Sequence, residues 1–366
     1  MWIQHLSLHY FRNLINNEFK FNNKKIIISG KNGTGKTSIL EAIYLLSLGR
    51  SFRAKKDSNL IHYNSAAGNV AGNFVLQDKE KIDIHLHISN KKIFTINNKS
   101  IKRLSQLIGI VNTILFMDKD IDIIERAPEL RRKFIDIIFS RVDRKYLSTL
   151  IKYYKTLEER NSFLRASIQD QTLLESLNSS LIRYGTEIIC LRMNYLKQFL
   201  IILKGLIKSY DISIYGDITV KYHTDLFDID QDTPDGEKDR DLIKKKFAKK
   251  LERTSKKEKD LKFTLCGPHR DDLLFFRDHK YKLPEYSSAG ERRLLAILLR
   301  ITEAAFVYQY KNEKPILLLD DILLELDKPN SELLMKYING SENQFFITTT
   351  DESDYNMVSD FDLVKL

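Results

Sequence analysis

The sequence predicts an α/β fold assembled from both ends of the chain, with an all-helical lobe inserted between them. Three observations carry this. Residues 30–37 read Gly30-Lys31-Asn32-Gly33-Thr34-Gly35-Lys36-Thr37, a complete G-x-x-x-x-G-K-[ST] loop, set between a buried-strand pattern at Ile26-Ile27-Ile28-Ser29 and a helical pattern from Ser38 to Leu48. A second strand of that type, Pro315 to Asp320, stands near the other end of the chain. Between the two, the apolar period changes from two to three and four.

The opening segment alternates Leu6, Leu8 and Tyr10, as a half-buried strand does. After the glycine loop and its helix, Ile82, Ile84, Leu86 and Ile88 alternate again. Turns at Asn90-Lys91-Lys92 and Asn97-Asn98 bracket Ile93-Phe94-Thr95-Ile96 and make an antiparallel meander. From about Met117 three helices follow, marked by Leu130, Phe134, Ile137 and Ile138, by Tyr146 to Leu157, and by Leu173 to Phe199. Their Tyr and Phe stripe is read as core packing rather than a base-stacking platform. Asp228 to Gly236, acidic with Pro234 and Gly236, reads as an exposed loop, and strand character returns at Phe263 to Leu265. The expected layout is therefore residues 1–116 and 263–366 in the α/β lobe and 117–262 in the helical insert.

At 366 residues the chain has room for two or three domains. Hydrophobic residues at 43% and charged residues at 30% describe an ordinary soluble protein, and no apolar run approaches a membrane span. The N-terminal Met1-Trp2-Ile3-Gln4-His5-Leu6 lacks a basic region followed by an apolar core, so a secretory signal is not expected. Cys190 and Cys266 stand far apart, which argues against a disulfide framework or zinc site and fits a reducing cytoplasm. A net charge of +10 points to a polyanionic partner. Between Lys238 and Lys259, 11 Lys or Arg stand against 4 Asp or Glu. That excess, including Lys244, Lys245 and Lys246, fits a solvated helix face, and it also fits a surface that neutralises DNA phosphates.

The glycine loop supplies backbone N–H groups that converge on phosphate, reinforced by the helix dipole. Lys36 is expected on the β- and γ-phosphates of ATP, and the Thr37 hydroxyl on Mg²⁺. Ile316-Leu317-Leu318-Leu319-Asp320-Asp321 is a buried strand ending in two carboxylates, at the strand end where α/β folds place ligands. Asp320 is expected to hold Mg²⁺ through water, and Asp321 to orient or deprotonate the attacking water. Tyr286-Ser287-Ser288-Ala289-Gly290-Glu291 then leads into an apolar helix. Alone that is a helix cap. Standing about 25 residues before that acidic strand, it resembles the signature of ABC-type ATPases. In such an ABC-type P-loop ATPase head, Ser288, Gly290 and Glu291 serve the γ-phosphate held by a second subunit, so ATP joins a homodimer. Asp327 falls where these proteins keep a D-loop at the dimer interface.

The chain as a whole resembles the RecF family, relatives of SMC and Rad50 heads. The resemblance rests on Tyr10-Phe11-Arg12-Asn13, the phosphate loop, Gly49-Arg50-Ser51-Phe52-Arg53, Arg131-Arg132-Lys133-Phe134-Ile135-Asp136, Tyr184-Gly185-Thr186-Glu187-Ile188-Ile189, Gly267-Pro268-His269-Arg270-Asp271-Asp272 and the strand running on to Asp327. It implies an ATP-dependent homodimer that binds double-stranded DNA or junctions with single strands. It also implies that the dimer helps RecO and RecR load RecA at gaps and stalled forks, with weak, DNA-stimulated hydrolysis. It places Arg12, with Asn13 beside it, and Ser38 of the loop at the nucleotide, although a surface arginine beside a strand is the plain alternative for Arg12. Arg53, Lys55 and Lys56 are candidates to face DNA. His269 and Arg270 stand open between a functional and a structural role.

Two departures from the family pattern bear on mechanism. The signature reads Ser288-Ala289-Gly290-Glu291 where the family more often has Ser-Gln-Gly-Gln. Asp321 stands where many ABC ATPases carry Glu, and the shorter carboxylate reaches less far toward water, so slow hydrolysis is expected. The competing readings are an ABC transporter subunit, which would have a membrane partner, and an SMC-like structural head. An insert of this length without sustained heptads is too short for a long coiled-coil arm.

Overall fold

The computed structural model describes residues 1–166, 170–210, 212, 218–227, 236–350, 358 and 360–366. Most of the acidic segment read as a loop, 228–235, lies outside them. The chain divides into two compact units, Met1–Ile121 with Ala289–Leu366, and Asp122–Ser288.

The chain opens with β1 (Trp2–Phe11), β2 (Leu14–Lys20) and β3 (Lys25–Ser29), then α1 (Lys36–Leu48), β4 (Gly68–Val75), β5 (Lys81–Ile88), β6 (Lys92–Ile96), β7 (Lys99–Ser100) and β8 (Thr113–Phe116). The second unit follows with α2 (Asp122–Glu125), α3 (Pro128–Val142), α4 (Arg144–Arg165), α5 (Gln171–Ser209), β9 (Ile218–His223), α6 (Arg240–Leu261), β10 (Asp272–Arg277), β11 (Tyr281–Lys282) and α7 (Leu283–Tyr286). The first unit resumes with α8 (Ala289–Lys311), β12 (Ile316–Leu319), α9 (Lys328–Gly340), β13 (Phe345–Thr349) and β14 (Asp362–Lys365).

The first unit holds two sheets. One is parallel, in the order β14-β3-β13-β12-β8, and the other is antiparallel, in the order β2-β1-β4-β5-β6-β7. Every residue of β12 and β13 is buried, as a strand covered on both faces requires. Helix α1 packs on β4 and β5 on one side and on β8 and β13 on the other, which explains why it is apolar nearly all round. Gly72 of β4 marks that contact, since a Cβ there would stand 2.7 Å from Leu46 Cδ1. In β1 the expected alternation fails at one position. Tyr10 takes a left-handed backbone (φ 49°) and is 43% exposed, so the parity flips and Phe11 turns into the core instead.

The insert was expected to be all-helical and to end at residue 262. Its helices are present, but it also contains a three-stranded antiparallel sheet, β11-β10-β9, and it runs to Ser288. Residues 263–265 form no strand. The strand lies further on, at β10, where Leu273 and Phe275 alternate inward opposite Val220 and Tyr222 of β9. The aromatic stripe does pack inside, with Tyr146, Tyr153 and Phe199 buried, while Tyr154 stays exposed.

Candidate functional site

The hairpin joining β1 to β2 has a two-residue turn, Arg12-Asn13. Asn13 Nδ2 donates to the Gly33 carbonyl at 2.8 Å, and Asn13 Oδ1 accepts from Ser38 Oγ at 3.2 Å. The turn thus braces the glycine loop from outside. Gly35 cannot be replaced there. Its φ is 117°, and a Cβ would meet Leu14 Cδ2 at 2.9 Å and the Asn13 amide at 3.2 Å. Lys36 is buried and donates through Nζ to the carbonyls of Gly30 (2.8 Å) and Lys31 (3.3 Å), spanning the loop. Thr34 Oγ1 also donates to the Lys31 carbonyl, at 2.9 Å.

Strand β12 delivers the two carboxylates. Thr37 Oγ1, in the first turn of α1, donates to Asp320 Oδ1 at 2.9 Å, and Thr348 Oγ1 of β13 lies 3.2 Å from the same oxygen. The Asp321 N–H donates to Thr348 Oγ1 at 2.8 Å, which fixes the carboxylate pair to the neighbouring strand. Burial raises the Asp320 pKa, and Asp321 beside it adds to the rise. Hydrogen bonds from Thr37 and Thr348 and the charge of Arg53 oppose it. Asp321 has a left-handed backbone (φ 49°), a strain typical of functional turns. Its Oδ1 is buried with no hydrogen-bond partner among the described residues. A hydroxyl and a carboxylate side by side, next to an unsatisfied carboxylate oxygen, form the all-oxygen donor set that suits a hard divalent cation and its waters.

A cavity of about 440 Å³ opens over the loop. Arg12, Asn13, Asn32, Gly33, Gly35, Lys36, Thr37, Ser38, Arg53 and Asp321, all singled out in the sequence, line it, together with Asn59, Ile61 and Tyr63, which were not. Arg53 was expected to face DNA, yet it forms part of this wall; Lys55 and Lys56 are exposed outside it. Arg12 also lines the wall, but its guanidinium is already engaged. Nε donates to Glu41 Oε2 at 2.8 Å, Nη2 to Glu41 Oε1 at 2.7 Å, and Nη1 to the Asn59 carbonyl at 2.8 Å. Glu41 also accepts from Ser51 Oγ, which in turn accepts from the Arg53 and Ala54 N–H groups. Sequence reasoning missed Glu41 and Thr348. The available signals were a lone acid among the apolar residues of α1 and three threonines ending an apolar strand.

Among the described residues, the wall does not include Ser288, Gly290, Glu291 or Asp327. Ser288 is exposed and immediately precedes α8, whose first turn carries Gly290 and Glu291. Asp327 caps α9 by accepting the Asn330 N–H at 3.2 Å, and Asn330 Nδ2 donates to the Gly290 carbonyl at 3.1 Å. The start of α8 and the segment after β12 are therefore tied together within one chain.

In the second unit, the motifs at Arg131–Asp136 and Gly267–Asp272 meet. Arg131 pairs with Asp272 through Nε (2.6 Å) and Nη2 (2.9 Å), and Arg132 Nη1 donates to the Asp271 carbonyl at 2.7 Å. Buried Arg192 donates to the Pro268 carbonyl and to Asp136. His269 Nε2 faces the Thr264 carbonyl at 3.4 Å, so Nε2 donates and Nδ1 accepts from Tyr153 OH at 2.7 Å. Burial, with Arg270, Arg132 and Arg192 nearby, pushes His269 down to about 4. Of the two roles left open for His269, these contacts are structural.

The model of the RecF/RecN/SMC N-terminal domain matches residues 2–365. A Streptococcus gordonii protein described as DNA replication and repair protein RecF is 34% identical over 369 residues, covering 100% of this chain and 98% of its own length. A Bacillus subtilis protein of the same description is 34% identical over 359 residues, covering 96% and 93%. A solved structure of the recombination mediator protein RecF with ATP, from the RecFOR pathway, superposes with a TM-score of 0.87 at 31% identity, covering 96% of this chain and 93% of that one.

Proposed function

This chain belongs to the RecF family, within the wider RecF/RecN/SMC group, and on that premise we propose that it is an ATP-gated, DNA-binding recombination and repair factor. The observation that carries the reading is the 2.9 Å contact between Thr37 and Asp320, set beside the unsatisfied Asp321 oxygen and the Lys36 loop. In this reading the loop's N–H groups and Lys36 bind the phosphates of ATP, the nucleotide that the RecF–ATP relative carries by its description. Thr37 and Asp320 hold Mg²⁺, which when bound screens the β- and γ-phosphate charge. Asp321 orients the attacking water, and its short side chain keeps turnover slow. Arg53, on the cavity wall, adds positive charge near the phosphates.

A site whose signature residues lie outside its own cavity is completed by a second copy. Ser288, Gly290 and Glu291 of one protomer close over the nucleotide of its partner, with Asp327 at the interface. DNA phosphates are met by α6. Lys245, Lys249, Arg253 and Lys256 are exposed along this helix, opposite buried Ile243, Phe247 and Leu251, and its 22 residues extend about 33 Å. Lys244 is exposed as well. Lys246 instead packs over the Phe227 ring, 4.1 Å from its centroid. Among the described residues no helix is long and apolar enough to cross a membrane. The cytoplasm, DNA as duplex or single-strand junction, and cooperation with RecO and RecR in loading RecA complete the proposal.

The test measures mass and DNA affinity with ATP, with ADP and without nucleotide. Dimerisation and tight DNA binding only with ATP are expected. A monomer that binds DNA equally in all three conditions contradicts the gating.

A further inference from the structure

We infer that His85 and His87 form a chelating pair for a divalent transition-metal ion on the outer face of the six-stranded sheet. The run Asp83-Ile84-His85-Leu86-His87-Ile88 alternates along β5, with Ile84, Leu86 and Ile88 buried and both histidines exposed. The two rings therefore leave the same face of one strand, from Cα atoms about 6.8 Å apart. Strand β5 lies between β4 and β6 and pairs with both. The backbone that carries the pair is thus held by ladder hydrogen bonds on either side, as a precise site requires. Rings that lean toward each other from that spacing bring two nitrogens onto one ion, at about 2.0–2.1 Å each.

The surroundings suit a cation. His87 Nδ1 donates to Asn69 Oδ1 of β4 at 2.9 Å, which leaves the Nε2 lone pair as the ligand. A second hydrogen bond of this kind is how metal-binding histidines are oriented. The cross-strand neighbours are Asn69 and Ile93 for His87, and Ala71 and Thr95 for His85. None of them is cationic, and Asp83, two residues before His85 on the same face, adds negative charge. His5 and His9 share the face, but they stand four residues apart on β1, with Ser7 between them. Among the described residues no group of three or more His, Cys, Asp or Glu could hold an ion. The two imidazoles are therefore the protein's share of the coordination shell, and water fills the rest. Such a shell selects Cu²⁺, Ni²⁺ or Zn²⁺ over Mg²⁺. Neither histidine lines the cavity over the phosphate loop, so the pair stands independently of the nucleotide reading.

Isothermal titration of the full chain with NiCl₂ tests this, in wild type, His85→Ala, His87→Ala, Asn69→Ala and His9→Ala. Excess MgCl₂ is present throughout to fill sites lined by oxygen. Asn69→Ala is expected to weaken the tightest Ni²⁺ equivalent by roughly tenfold, the cost of losing an orienting partner. His85→Ala and His87→Ala, each losing a ligand, are expected to weaken it further, and His9→Ala to bind as wild type does. Electron paramagnetic resonance of the Cu²⁺-loaded chain is expected to show two coupled nitrogens in wild type and one in His85→Ala. A wild type that takes up no Ni²⁺, or His85→Ala and His87→Ala chains that bind it as wild type does, overturns the pair. So does a Cu²⁺ spectrum unchanged by His85→Ala, or a loss in His9→Ala equal to theirs.

Discussion

Arg12, at the apex of the first hairpin, closes on Glu41 in α1 with both arms of its guanidinium, at 2.8 and 2.7 Å. The Glu41 side chain is fully buried and that of Arg12 is 20% exposed. The pair ties the antiparallel sheet to the helix that begins at the phosphate loop. Removing Arg12 leaves a buried carboxylate with Ser51 as its remaining side-chain donor in this network. Arg12→Ala is therefore expected to lower unfolding stability by about 3 kcal/mol, measured in urea. Unchanged stability with only nucleotide affinity reduced would show that Arg12 acts on phosphate alone.

Asp320 and Asp321 are adjacent but differently held. Asp320 accepts from Thr37 and Thr348, whereas one oxygen of Asp321 is buried with no partner among the described residues. Asp321→Asn is expected to keep ATP binding while slowing phosphate release by about 100-fold or more. Single-turnover phosphate release reads this directly, and an unchanged rate would remove Asp321 from the water-orienting role.

His269 sets a pH dependence. Folded, the ring stays neutral down to about pH 4; unfolded, it takes a proton at its ordinary value near 6.5. Between those values the unfolded chain binds more protons, so this contribution to stability falls as pH drops from 6.5 toward 4 and is flat below. The full effect is about 3 kcal/mol. His269→Gln is expected to lose less stability than wild type between about pH 7 and about pH 5 in urea unfolding. Equal losses would place the ring in a solvated position.

What was legible in the sequence was what lies in contiguous residues. The loop at 30–37 and the strand ending at Asp320 show themselves because each is a local pattern whose chemistry needs those residues in that order. The three long helices show through their spacing. Glu41 was not legible, because its role depends on a hairpin turn 29 residues earlier. Nor was Thr348, which reaches Asp320 only through the β12–β13 pairing. The insert's far boundary was misplaced because β10 finds its partner in β9, and only the pairing reveals which unit the strand serves. Arg53 reads as one more basic residue until its loop, pinned through Ser51 to Glu41, turns it toward the cavity.

Everything proposed for the assembly turns on Ser288 acting across a twofold. Sedimentation of wild type and Ser288→Ala with a slowly hydrolysed ATP analogue tests this most directly. The expected result is a wild-type dimer, and a Ser288→Ala chain that binds the analogue with ordinary affinity yet remains a monomer. A Ser288→Ala chain that dimerises as wild type does would contradict the shared site.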